Sequence, residues 1–280
     1  MNLLKKISSL VACALCFSAC ALSQDIHFSQ FFEAPLLRNP SLAGIYTGDI
    51  RVQAVYRDQW NSVTNAYKTG SLNGEYKMPV GKADDFMTVG MQLLYDRAGT
   101  IGWTSTHILP AINYHKLLSA DRNRYLSLGF MGGLVQRSFD VSKMTTNSQY
   151  NGNGLGENLA NAQYTYLDGS AGMSYNSNLN DNPDNNFFIG AAYHHFNRPN
   201  NSFYRDPNIE LHPKWVFSGG LRLGVGDYAY MTLQADHSRQ GGFVETVGGV
   251  MYGLKIGGDP EQPDYVIHAG GFLRWNDALI

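Results

Sequence analysis

Apolar and polar residues alternate along much of this chain with a period of two, the period of a strand whose two faces meet different surroundings. In 86–97, Met87, Val89, Met91, Leu93 and Tyr95 fall on one face and Thr88, Gly90, Gln92 and Asp96 on the other. In 69–78, Leu72, Tyr76 and Met78 stand opposite Ser71, Asn73, Glu75 and Lys77. One face suits lipid and the other a wet lumen. The same reading predicts eleven strands, at 50–58, 69–78, 86–97, 104–115, 124–136, 164–176, 186–196, 214–223, 228–238, 243–255 and 264–275. Most are close to the roughly 9 to 11 residues that a tilted membrane-crossing strand requires. The competing architecture is a β-sandwich, because 186–196 and 264–275 are partly apolar on both faces.

The connections favour an all-β, antiparallel transmembrane β-barrel. If the first strand runs outward, 59–68, 98–103, 137–163, 197–213, 239–242 and 276–277 share the outer side, and these include the two longest connections. The inner side receives 79–85, 116–123, 177–185, 224–227 and 256–263, with turn chemistry such as Asn182-Pro183-Asp184 and Gly257-Gly258-Asp259-Pro260. Outer-membrane barrels have this asymmetry of long external loops and short periplasmic turns. Eleven strands followed by the fragment Ala278-Leu279-Ile280 make about 11 to 12, whereas bacterial single-chain barrels normally have an even number. The expectation is a larger barrel whose C-terminal strands are missing from 49–280.

The N-terminus reads as an export signal over 1–23. Lys5 and Lys6 precede an apolar run from Ile7 to Phe17, and Ala21-Leu22-Ser23 offers a small-x-small cleavage site before Gln24. The run is shorter than the roughly 20 residues of a membrane-spanning helix. Cys13, Cys16 and Cys20 are the only cysteines and all precede that cut, so no disulfide or thiolate metal site is expected in the mature chain. Phe17-Ser18-Ala19-Cys20 resembles a lipobox except at Phe17, where an aliphatic residue is usual. Residues 24–48 contain Pro35 and Pro40 without alternation and read as a periplasmic or plug-like leader.

Composition changes the picture only by exclusion and by fit. Charged residues are 16% of the chain and the net charge is -2, which argues against a nucleic-acid partner. Thirty glycines, 17 tyrosines and 14 phenylalanines suit twisted strands with aromatic ends. Candidate chemistry is sparse. His194 and His195, near Asp206 and His212, are strand neighbours and so are expected to face opposite sides, one toward the lumen and one at the rim. Asp84-Asp85 reads as a solvated turn, and Asn151-Gly152-Asn153-Gly154-Leu155-Gly156 as a flexible external loop, since no strand and helix frame it for phosphate binding. No catalytic residue, metal site or cofactor is expected.

Four ordered blocks carry a family resemblance. The first is Asp25-Ile26-His27-Phe28-Ser29-Gln30 followed by Asn39-Pro40-Ser41-Leu42-Ala43-Gly44, with Ser41 where alanine is common. The second is Tyr56-Arg57-Asp58-Gln59-Trp60. The third is His195-Phe196-Asn197-Arg198-Pro199-Asn200-Asn201-Ser202-Phe203, and the fourth Arg274-Trp275-Asn276-Asp277-Ala278-Leu279-Ile280. Together they resemble the PorP/SprF family of the type IX secretion system of Bacteroidota, whose members continue beyond the fourth block. The resemblance implies an outer-membrane accessory component rather than an enzyme. Its implied partners are outer-membrane lipid, periplasmic ring lipoproteins and secreted cargo with a C-terminal sorting domain, including gliding adhesins in some relatives. External loops 137–163 and 197–213 are expected to meet cargo, with the leader near the periplasmic mouth. A passive porin is the alternative.

Overall fold

In the computed structural model, residues 25–26, 28, 31–46, 48–59, 67–81, 84–152, 156, 161–275 and 278–279 are described. The predicted export signal, Gln24, and the motif residues His27, Ser29, Gln30, Trp60, Asn276, Asp277 and Ile280 lie outside them. Among the described residues no helix is long and apolar enough to cross a membrane.

The chain is all-β, and one antiparallel sheet follows sequence order from first strand to last. Its strands are β1 (Ile50–Gln59), β2 (Tyr67–Val80), β3 (Asp85–Ala98), β4 (Trp103–Ser119), β5 (Arg124–Ser138), β6 (Gln163–Asn178), β7 (Asn186–His194), β8 (Lys214–Gly224), β9 (Ala229–Gln240), β10 (Phe243–Ile256) and β11 (Tyr265–Arg274), with a two-residue β12 (Ala278–Leu279). Among the described residues β1 pairs only with β2, and β11 pairs with β10 and β12, so the sheet is curved but not closed.

The outward face is the one the alternation predicts. Val89, Met91, Leu93 and Tyr95 are exposed on β3, and Ile108, Ile112, Leu128, Phe130, Val250 and Tyr252 continue the apolar band on other strands. The tallest wall is β2 to β6, where strands of 14 to 17 residues exceed the predicted windows. Pairing there runs on past the predicted ends through polar residues such as Lys116, Ser138 and Asn178, which hydropathy alone does not flag as strand.

The inward face corrects the expectation of a wet lumen. Thr88, Gln92 and Asn113 are fully buried, and Asn73 nearly so. They are covered because residues 25–26, 28 and 31–46 lie on the concave side of the sheet. This leader begins beside Gln240 of β9 and Lys214 of β8, at their long-loop ends. It forms short turns at Phe31–Glu33, Pro35–Arg38 and Pro40–Leu42, and reaches Glu75 of β2 at Gly44, nearer the short turns. A backbone inside a sheet must have its polar groups satisfied, so the wall opposite is rich in amides and hydroxyls.

Two other local expectations change. Asp84 does occupy the turn, with φ 49, but Asp85 is buried at the start of β3, where it accepts from Tyr114 Oη at 2.6 Å, Lys116 Nζ at 2.8 Å and the Leu117 amide at 2.9 Å. The two histidines do not split between lumen and rim. β7 ends at His194, and His195 adopts φ 56, which turns its ring inward as well; both are buried.

Candidate functional site

The leader is keyed to the wall at Asn39, which is fully buried. Its Nδ2 donates to the carbonyls of Met173 on β6 and Ala191 on β7 at 3.3 and 3.2 Å. Its Oδ1 accepts from the amide and hydroxyl of Ser41 at 2.9 and 2.7 Å, capping the turn that Pro40 begins. From the other side Asn113 of β4 donates to the carbonyls of Ser41 and Ala43 at 2.6 and 2.8 Å. The motif Asn39-Pro40-Ser41 is thus a compact buried turn hydrogen-bonded to three strands.

Close approach demands missing side chains in the wall. A Cβ at Gly129 would overlap the backbone of Pro40 and Ser41, one at Gly172 would overlap Asn39, and one at Gly190 would lie 2.9 Å from Asn39 Nδ2. Glycine inside a strand weakens it unless another chain approaches there. Here the leader does so on three successive strands. Gly44 closes the turn with φ +82 and donates to Glu75 at 2.9 Å.

Charged pairs fix the leader on either side of this turn. Arg38 is buried against Asp236 of β9, with Nε to Oδ2 at 2.6 Å and a second contact from Nη2 to Oδ1, and its guanidinium lies 4.7 Å from the Phe31 ring centroid. Glu75 gathers Arg51 Nη2 at 2.6 and 2.8 Å, Asn73 Nδ2 at 2.9 Å and the Gly44 amide. Other motif residues reinforce this frame. Arg57 donates to Thr69 at 3.0 Å and lies 5.8 Å from the Phe28 ring centroid, and Arg274 pairs with Glu245 at 3.0 Å. Gln59 is exposed at the end of β1, and Ala278 is in β12.

At the long-loop end, connection 195–213 turns inward. Asn197 accepts from the Gly169 amide at 3.1 Å and donates to the Leu167 carbonyl at 2.7 Å, so it satisfies the β6 edge where β7 has stopped. Ser202 is buried and accepts from the amides of Tyr204 and Asp206, Pro199 accepts from the Leu211 amide, and Asn201 receives Arg137 and Tyr164. Phe203 packs edge-on against Trp103, Phe139 and Tyr164, with ring centroids 4.6 to 5.0 Å apart. His195 places Nδ1 2.8 Å from Asp168 and Nε2 3.4 Å from Asp25 of the leader.

Burial opposes a charge on His195, but its hydrogen bonds to Asp168 and Asp25 outweigh that and raise its pKa from 6.5 to about 9. Burial likewise opposes the Asp25 carboxylate, yet Lys214 and then His195 hold it well below the usual range. A histidine raised in the fold contributes its stabilisation in full below about pH 6.5 and loses it as pH rises through about 9. Cleavage by trypsin at the exposed Arg205 should therefore accelerate between pH 7 and pH 9.5 beyond the change seen with an unstructured peptide control. Parallel profiles for protein and peptide would contradict the assignment.

Of the residues singled out in the sequence, Asn39, Pro40, Gly44, Phe28 and Arg57 meet in or against the leader, and His195, Asn197, Pro199, Ser202 and Phe203 build the loop above it. Arg274 and Ala278 lie apart, on β11 and β12. Sequence reasoning placed Glu75 on the inner face without a role, and missed Arg38, Asn113, Asp168 and Asp236, together with the glycines at 129, 172 and 190. Inward charges on strands and strand-interior glycines were the available signal. Among the described residues no group of three metal-ligating side chains is found.

Below the leader, toward the short turns, the lumen keeps a cavity of about 670 Å³ bordered by Tyr46, Lys77, Tyr125, Asn176, Arg222 and Gln234. The site as a whole is a packed receptacle for the chain's own N-terminal segment, covered by one inward-folded loop.

Comparison with known proteins agrees with the ordered blocks. The family described as type IX secretion system membrane protein PorP/SprF matches residues 21–278. Comparison with curated proteins gives no match, and comparison with solved structures gives none either. With the match running from the leader through β12, the chain belongs to the PorP/SprF family of type IX secretion system membrane proteins.

Proposed function

We propose that the chain acts in the outer membrane as an accessory of type IX secretion, supporting export or surface attachment of cargo with a C-terminal sorting domain. In this reading residues 1–23 are the export signal, 24–48 the plug-like leader, and the remainder the membrane barrel. The observation that carries a receptor role is the filled lumen. Leader residues 31–46 pack across the inner wall, and connection 195–213 folds over them from the long-loop end. A passive porin needs a continuous aqueous path, whereas here Leu36 of the leader and Leu211 of the loop form a dry cluster with Val135 and Tyr166 of the β5–β6 wall.

The long loops would face the exterior and meet cargo, and the short turns with the cavity beside Tyr46 would face ring lipoproteins in the periplasm. The exposed apolar band on alternate strand positions supports lipid contact. Open strand edges at β1 and β11 would leave backbone groups unpaired in hydrocarbon, at several kcal/mol each, roughly. Closure by further strands is part of the proposal. Neither the dry cluster nor the packed turn offers a reacting centre, so catalysis is not part of it.

Purified protein in planar bilayers is expected to show little steady open-pore current, and to capture a cargo C-terminal domain added on the long-loop side. Stable ohmic conductance without cargo capture would sink the receptor reading and favour a solute channel.

A further inference from the structure

Both roots of connection 195–213 converge on one leader residue. His195, the first residue after β7, puts Nε2 3.4 Å from Asp25 Oδ2, and Lys214, the first residue of β8, puts Nζ 3.7 Å from the same oxygen. Gln240 joins them a third way. Its Oε1 accepts from the Asp25 amide at 3.0 Å while its Nε2 donates to the His212 carbonyl at 3.1 Å. Asp168 of β6 holds the far side of the His195 ring at 2.8 Å, so that ring spans loop, wall and leader.

The loop that ends in this junction carries three non-glycine residues in the left-handed region, His195 at φ 56, Arg198 at φ 43 and Arg205 at φ 55. Such conformations cost free energy and persist only where surrounding contacts impose them. The imposing contacts are in view: Asn201 with Arg137 and Tyr164, Phe203 within its aromatic cage, and the Asp25 junction. Removing one set should shift the load to the others.

We propose that Asp25 couples the loop to the leader, so that displacing connection 195–213 from its aromatic cage loosens the leader along the lumen. A partner seated on the long-loop face would thereby change the leader's packing as far as the Gly44–Glu75 contact, toward the short turns. The inference stands on the junction's geometry and not on which partner does the displacing. A rival route exists through apolar packing, since Leu211 of the loop and Leu36 of the leader share one buried cluster.

A double-mutant cycle on the full chain in detergent separates the two. Phe203→Ala disturbs the loop where it touches Trp103, Phe139 and Tyr164, none of which belongs to the leader. Asp25→Asn keeps the side chain's size and removes its charge, and His195→Gln supplies a second uncoupled background. The readout is amide hydrogen exchange at Leu42 and Gly44, whose N–H groups are held by Asn39 and Glu75. Phe203→Ala is expected to speed that exchange about tenfold in the wild-type background and by less than about twofold when either Asp25 or His195 is changed. Unchanged exchange in the Phe203→Ala variant, or an equal factor in all backgrounds, would overturn the coupling.

Discussion

Replacing Arg38 with methionine is expected to destabilise the protein by about 3 to 5 kcal/mol, because it leaves Asp236 buried without its partner. The side chains of Arg38 and Asp236 are only 8% and 12% exposed, so water screens the loss weakly. Arg38 also lies over Phe31 and close to Phe188, and methionine can keep part of that packing. The charge is therefore the main thing removed. The double variant Arg38→Met, Asp236→Leu should recover much of the loss, since a buried ion pair replaced by apolar groups of similar volume is often close to neutral. Thermal unfolding in detergent checks both. An unaltered midpoint for the single variant would mean that the leader is not held at Arg38.

Val89→Arg is the second large effect, about 2 to 4 kcal/mol if Val89 sits near mid-depth. On β3 Val89 pairs with Tyr76 of β2 and Ile112 of β4, and all three are exposed on the outward face. A guanidinium there has hydrocarbon around it and apolar neighbours on both sides. Leu118→Arg, also outward but near the short-turn end of β4, should cost only about 0 to 1 kcal/mol because its charge can reach the interface. Gln92 would be a poor comparator. It is fully buried and donates to Ser71 at 2.8 Å, so an arginine there meets crowding rather than water. Folding yield into lipid vesicles measures the contrast, and equal yields for Val89→Arg and Leu118→Arg would contradict the outward register.

Those two substitutions divide what local pattern reveals from what it hides. Val89 is legible because a lipid-facing position needs only its strand's period of two, which the neighbouring residues display. Strand ends were less so: β4 and β6 extend past their predicted ends through Lys116, Ser119, Ser177 and Asn178, where the ladder of backbone hydrogen bonds, not hydropathy, continues the strand. Arg38 and Asp236 are 198 positions apart, and nothing local in either marks them as partners. The same holds for the glycines at 129, 172 and 190, which have a common purpose only once the Asn39-Pro40 turn is placed on them.

The motif blocks located the important segments without explaining them. Asn39 and His195 stood out by resemblance, yet the reason for each is a contact made far along the chain. Asn39 serves carbonyls on β6 and β7, and His195 serves a carboxylate on β6 and another in the leader. His195 also shows why alternation failed there. A strand neighbour of His194 should face away from it, but β7 ends between them and the left-handed φ of His195 brings both rings inside, with centroids 6.3 Å apart.

The proposed secretion role is tested most directly by surface delivery of a reporter fused to a type IX C-terminal sorting domain, in cells lacking this chain. Surface-exposed reporter should fall sharply in those cells and return with the wild-type gene, but return only in part with the Arg38→Met form. Reporter delivered and retained at wild-type level in the absence of the chain would contradict the account.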